Sequence, residues 1–121
     1  MSGQLNPDPQ TVVQIQADLR QLAVSLREAE HLETGTQKSL AGLIDELSAE
    51  LNSTGVTSAK TTRLAEAVSE VARSLHEQHS AGLLGTARDR LKEAAARAEI
   101  ESPVATGVVY RLIEVLASMG I

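Results

Sequence analysis

The sequence predicts an all-α protein of about five helices, arranged as an antiparallel bundle or as packed helical hairpins. Three observations carry that expectation. Apolar residues recur at alternating spacings of three and four through most of the chain, and no segment alternates with period two, as a half-buried strand does. Clusters of Gly, Pro, Ser, Thr and Asn interrupt that period at intervals suited to helices of ordinary length. The 121 residues include no Phe, no Trp and one Tyr, so the core is built from Leu, Val, Ile and Ala, which suits closely packed helices. A chain of this length is expected to form a single domain and to bury roughly two-thirds of its unfolded surface.

Residues 1–8, polar and containing Gly3 and Pro7, read as a flexible tail. Asp8 then stands as N-cap with Pro9 at the first helical position. The first helix is expected over 9–31, where Val12, Ile15, Leu19, Leu22, Leu26 and Ala29 form the a/d seam of a coiled-coil-like helix. Thr34-Gly35-Thr36 breaks it, and a second helix over 37–51 carries Leu40, Ile44, Leu47 and Leu51, with Leu43 beside them. After the breaker Asn52-Ser53-Thr54-Gly55, a third helix over 58–79 has Leu64, Val68, Val71 and Leu75 as its seam. A fourth, over 83–100, uses Leu84, Ala87, Leu91, Ala94 and Ala98. The nine-residue step from Leu75 to Leu84 continues neither a heptad nor an eleven-residue repeat, and Gly82 and Gly85 lie in or beside it. It predicts a break over 80–85 in preference to one kinked rod.

The last helix, over 103–119, opens with Ser102 as N-cap and Pro103 at N1 and follows Ala105, Val109, Leu112, Leu116 and Met119. Val104, Val108, Ile113 and Val115 widen its apolar face, which therefore needs cover from two sides, within the monomer or across a two-fold interface. Its ending places Gly120 at the left-handed C′ position, with Ile121 at C″ touching Leu116 at C3, a Schellman arrangement.

Charge narrows the functional classes. Lys plus Arg total 11 against 16 Asp plus Glu, a formal net charge of -5 with both signs interleaved, so a nucleic-acid partner is not expected. Cysteine is absent, which removes disulfides, thiolate metal sites and thiol catalysis. The opening MSGQLNPDPQ has no basic-then-apolar leader pattern, and no apolar run approaches the length that spans a bilayer. A cytoplasmic protein without membrane contact is the expectation.

The stretch SLHEQHS at 74–80 comes nearest to chemistry. In the zinc-protease pattern two His stand at i and i+4 with Glu between as general base. Here His76 and His79 stand at i and i+3, roughly 60° apart on a helix, which still permits a shared metal. With Val68 and Leu75 at a and Val71 at d, however, His76 falls at b, Glu77 at c and His79 at e, away from the interior, and no further His or Cys lies nearby in sequence. A solvated helix end is the plainer reading. Glu28 and His31 have the Glu-x-x-His spacing of di-iron bundles, but one outward-facing copy is a charged surface. Gly35-Thr36-Gln37-Lys38-Ser39 echoes the end of a P-loop with its other glycine missing, and N-capping by Thr34 or Thr36 explains it better. Thr86 and Asp89 have capping-box spacing. No serine is placed for nucleophilic catalysis.

The segment LKEAAARAEIESPVATGVVYRLIEVLASMGI resembles a family of short bacterial helical proteins known as a domain of unknown function. The matching positions are Leu91, Glu99, Pro103, Arg111, Leu116, Gly120 and Ile121, in a stretch starting near Ser80. HLETGTQKSLAGLIDELSAEL, residues 31–51, is similar to the family's second helix. Ala98 and Ser102 stand where members usually carry Phe and His. The resemblance implies a helical fold and lends no activity.

Together these readings describe a structural or protein-interaction module rather than an enzyme. It is expected to form a homo-oligomer, a dimer, to meet any protein partner through its helix faces, and to need no cofactor. Val104, Val108, Tyr110, Val115 and Ile121 are the interface candidates. A small-ligand or metal-binding protein using His76 and His79 is the alternative.

Overall fold

A computed structural model of the chain describes residues 9–54, 59–77 and 81–120. Five helices make it up: α1 (Pro9–Arg27), α2 (Thr34–Thr54), α3 (Ala59–His76), α4 (Ala81–Ala98) and α5 (Pro103–Ser118), and among the described residues there is no strand. The protein is all-α.

The helices close a ring. α1 packs on α2 and α3, α5 on α2 and α4, and α3 on α4, so each helix has two principal neighbours. A ring with an odd number of members cannot alternate direction throughout, and the like-directed pair is α1 and α3. There Ile15 shares a groove with Glu66 and Ser69, and Asp18 lies 3.7 Å from Arg73 further along both helices. α2 and α5 run antiparallel, Ser39, Gly42 and Glu46 lining one groove with Ser118, Val115 and Arg111. So do α3 and α4, where Glu70 meets Arg90 and Arg63 shares a groove with Arg97. The short α1–α2 and α4–α5 connections turn the chain back in the same way. Exposed ion pairs mark the joins: Arg27 with Asp45 at 2.6 Å, Arg90 with Glu70 at 3.3 Å and Arg111 with Glu46 at 2.5 Å. Exposed pairs of this kind contribute about 0–1 kcal/mol each and chiefly favour one register. The Arg90–Glu70 pair also settles the middle of the chain, because α3 and α4 fold back on each other as a hairpin.

Leucine and valine from every helix fill the centre. Leu19, Leu26, Leu40, Leu47, Leu64, Val68, Leu91, Val109 and Leu116 are fully buried, and each such side chain stabilises the fold by roughly 1.5–3 kcal/mol. The burial is widest on α3, where Thr61, Thr62, Ala65, Ser69, Ala72 and Ser74 are buried beside the Leu64–Val68–Val71–Leu75 seam. These small side chains let α1 and α4 approach it from two sides.

Several boundaries differ from those the periodicity predicts. α1 ends at Arg27, four residues short of His31, although Ala29 remains buried on its seam. The Gln37 side-chain amide and the Leu32 N–H both donate to the Ala29 carbonyl, so that carbonyl is unavailable for another turn of helix. α2 starts at Thr34, with the Glu33 carbonyl accepting the Gln37 N–H at 2.8 Å. Gly35 and Thr36 thus lie in a first turn, whose N–H groups have no intrahelical partners in any case. The helix also continues through Asn52 to Thr54, where the sequence reads as a breaker, since the fully buried Leu51 anchors its last turns. α3 begins at Ala59 and ends at His76, and α4 begins at Ala81, so Gly82 and Gly85 lie within α4 rather than between helices. Thr86 is not a cap: its hydroxyl donates to the Gly82 carbonyl at 3.1 Å, and Asp89 pairs with Arg88. The α4 seam turns at its end, burying Ala95 completely and leaving Ala94 half-buried, because a straight helix of 3.6 residues per turn drifts away from a 3.5 repeat.

At the α4–α5 joint, Ser102 precedes Pro103 as N-cap, yet its hydroxyl does not cap the helix. It shares a hydrogen bond of 2.6 Å with Thr61 Oγ1 instead, tying the joint to the start of α3. At the far end Gly120 has φ +86° and donates to the Ala117 carbonyl at 3.0 Å, the inner bond of a Schellman motif. Asp8, His79 and Ile121, to which the sequence reading gives roles, lie outside the described residues.

Candidate interaction surface

The expected two-sided cover of α5 comes from α2 and α4 of the same chain. Val108 is 2% exposed and belongs to the core, while Ile113 and Val115 pack half-buried against it. Val104, by contrast, is 58% exposed and Tyr110 41%. Burial takes Val108 off the surface, so the interface candidates that remain accessible are Val104, Tyr110 and Val115. Sequence periodicity places Val104 and Val108 on one stripe one turn apart; in the first turn of α5 Ala105 and Thr106 are buried, and the side that carries Val104 is open.

The outer face of α5 runs through Val104, Gly107, Arg111, Glu114 and Ser118, at spacings of three and four. Beside it, between α2 and α5, lies an open groove of about 720 Å³. Leu43 and Val115, both half-buried, form its apolar floor together with Gly42 and the small Ser39 and Ser118. Lys38 stands at one end, the Arg111–Glu46 pair at the other and Glu114 between them. Among the described residues, a methyl group placed on Gly42 or on Gly107 would meet no atom within 4 Å beyond its chain neighbours and its own helix backbone.

Tyr110 donates its hydroxyl proton to Glu99 Oε1 at 3.2 Å. Partial desolvation of the ring, and then the charge and hydrogen bond of the Glu99 carboxylate, raise the phenol above its ordinary 10.0. Ile100, next to Glu99, is 94% exposed, and extends the apolar surface around the joint.

The other sequence candidates are dispersed. His76 is exposed at the end of α3, and among the described residues no three His, Cys, Asp or Glu side chains gather in a way that could hold a metal. Glu28 is exposed in the α1–α2 turn. His31 instead crosses to α3, with Nε2 2.8 Å from the Leu75 carbonyl. Lys38 and Ser39 of the P-loop-like stretch lie on the first turns of α2 and edge the groove just described. Among the described residues no helix is long and apolar enough to cross a membrane.

The fold and this surface define a small all-α protein whose accessible features are helix faces and shallow grooves. Residues 56–121 match the family described as a domain of unknown function (DUF4404). That is more than half of the chain, and the protein belongs to this family. The match starts well before Ser80 and includes α3, which the sequence resemblance did not reach, whereas the similar stretch at 31–51 lies outside it. Comparison with the curated proteins and with the solved structures found no match.

Proposed function

We propose that the protein is a non-catalytic helical interaction module that self-associates as a two-fold dimer through the face formed by α2 and α5. Gly42 carries this reading. A glycine inside a helix costs about 1 kcal/mol relative to alanine, and among the described residues no neighbouring atom comes within 4 Å of the space it leaves. It lies between the half-buried Leu43 and Val115, so the backbone of a second helix can approach closely there and cover both side chains. The charges are self-complementary. A two-fold axis near Gly42 lays the Lys38 end of one copy over the Arg111–Glu46 pair of the other, where Lys38 can share the exposed Glu46 carboxylate. The mixed, net acidic surface fits a cytoplasmic setting.

Sedimentation equilibrium tests the reading. The unmodified chain is expected to dimerise, and Gly42→Lys to be monomeric with its fold intact, because that position is exposed and lysine is a good helix former. Val115→Lys is expected to weaken the dimer in the same way. A wild-type chain that stays monomeric at the highest concentration it tolerates overturns the proposal, as does a Gly42→Lys dimer as tight as the wild type.

A further inference from the structure

The chain is acidic overall, with a formal net charge of -5, yet its basic residues are unevenly placed. A groove of about 360 Å³ between α3 and α4 is lined by Lys60, Arg63, Arg90 and Arg97, with Glu66 and Glu93 as its acidic residues. Four of the 11 basic residues thus converge on one slot, where cations exceed carboxylates by two. Ala67 and Ala94, both half-buried, form the floor. Arg97 pairs with Glu93 at 3.0 Å and Arg90 with Glu70 at 3.3 Å. These pairs are solvent-exposed and easily exchanged for others. Lys60 and Arg63 form no ion pair among the described residues.

We propose that this α3–α4 groove is a docking site for an acidic amphipathic helix of a partner protein. Charge complementarity selects the sign of the occupant, and the alanine floor selects its class. A phosphate backbone has no use for two methyl groups, whereas a helix can lay a small apolar side chain on Ala67 and Ala94 between the carboxylates it directs at the cations. The spacing adds a requirement. Arg90 and Arg97 are seven residues apart on α4, about 10 Å along its axis, so they match carboxylates at i and i+7 of an incoming helix. Arg63 lies across from Arg97 and flanks the same end. The site is on a different pair of helices from the proposed dimer face and does not depend on it.

The test uses fluorescence anisotropy at low salt with the full-length chain and a labelled alanine-rich helical peptide carrying Glu at i and i+7. A Gln version of the peptide is the reference. Expected is binding of the Glu peptide at least roughly tenfold tighter than the Gln peptide, and a loss of at least tenfold in Arg63→Glu/Arg97→Glu. Arg20→Glu/Lys92→Glu, which changes net charge equally at exposed positions outside the groove, should retain wild-type binding. Absence of binding, or equal losses in the two double variants, overturns the proposal. So does tighter groove-dependent binding of a single-stranded oligonucleotide or of phosphatidylserine vesicles. Circular dichroism verifies that each variant remains helical, and the Glu/Gln comparison on the unmodified chain stands without any variant.

Discussion

The imidazole of His31 reaches the last turn of α3 at the Leu75 carbonyl, where unpaired carbonyls concentrate the negative end of the helix dipole. An N–H donor there satisfies one of them. His31→Ala is therefore expected to lower stability by about 1 kcal/mol in urea melts, and an unchanged melt would mean that water serves that carbonyl equally well. Sequence spacing cannot reveal this bond, since its partners are 44 residues apart and on different elements. Tyr110 offers a second test at the same scale. Its phenol is raised, so the folded chain holds this proton more tightly than the unfolded chain does. The resulting stability is complete below 10.0 and is lost as pH rises through the higher folded value. As the only Tyr in a chain without Trp, it can be followed directly by phenolate absorbance. Glu99→Gln removes the carboxylate's charge, and the midpoint should move down toward the ordinary value. A midpoint that stays in place would assign the whole shift to desolvation.

Among the elements, α4 shows how far a repeat can be read and where it fails. Leu84, Ala87, Leu91 and Ala98 are buried as their spacing predicts, but Ala95 replaces Ala94 in the core. The two alanines are chemically identical, so only the phase of the helix distinguishes them, and a strict heptad accumulates about 20° of error per repeat. Ala95→Leu should cost roughly 1–3 kcal/mol by overpacking, while Ala94→Leu, at a half-buried position, should cost less than about 1 kcal/mol. Equal costs would place the seam midway between them. α3 poses the converse problem. Thr61, Thr62, Ser69 and Ser74 are buried, and a polar-residue count reads them as surface. Their small volume was the available signal, because small side chains on both flanks of a seam allow a helix to be approached from two directions. On α5 the sequence showed a wide apolar face but not which part stays open. Val108 and Val104 are the same residue type one turn apart, and α2 and α4 cover the first and leave the second open.

At the scale of the whole molecule, helix number and the identity of the central leucines were legible in the sequence, while the order of helices around the ring was not. Every helix has the same kind of seam, so periodicity does not say which seam meets which. The pairing is written in cross-helix contacts such as Asp18–Arg73 and Arg111–Glu46, which join distant positions. The candidate surface was partly legible for the same reason: Val104, Tyr110 and Val115 could be singled out on α5, but Leu43 and Gly42 join them only because α2 is its neighbour. The family match has a consequence for cooperativity. It covers α3, α4 and α5, an arc of three helices, and in that arc α3 lacks α1 while α5 lacks α2. Leu64, Val68, Val109 and Leu116 belong to one core with residues of α1 and α2, so an isolated 56–121 fragment loses a share of its packing at both ends. Removing those partners exposes apolar surface and lowers the area hidden from solvent, to which the denaturant slope is proportional. The fragment is expected to unfold with a shallower urea slope than its length alone predicts and to bind a hydrophobic dye that the full chain excludes. Adding a separate 9–54 peptide should steepen the transition and displace the dye. A fragment that melts sharply on its own, with no response to that peptide, would show that three helices already form a complete core and that α1 and α2 are an addition to it.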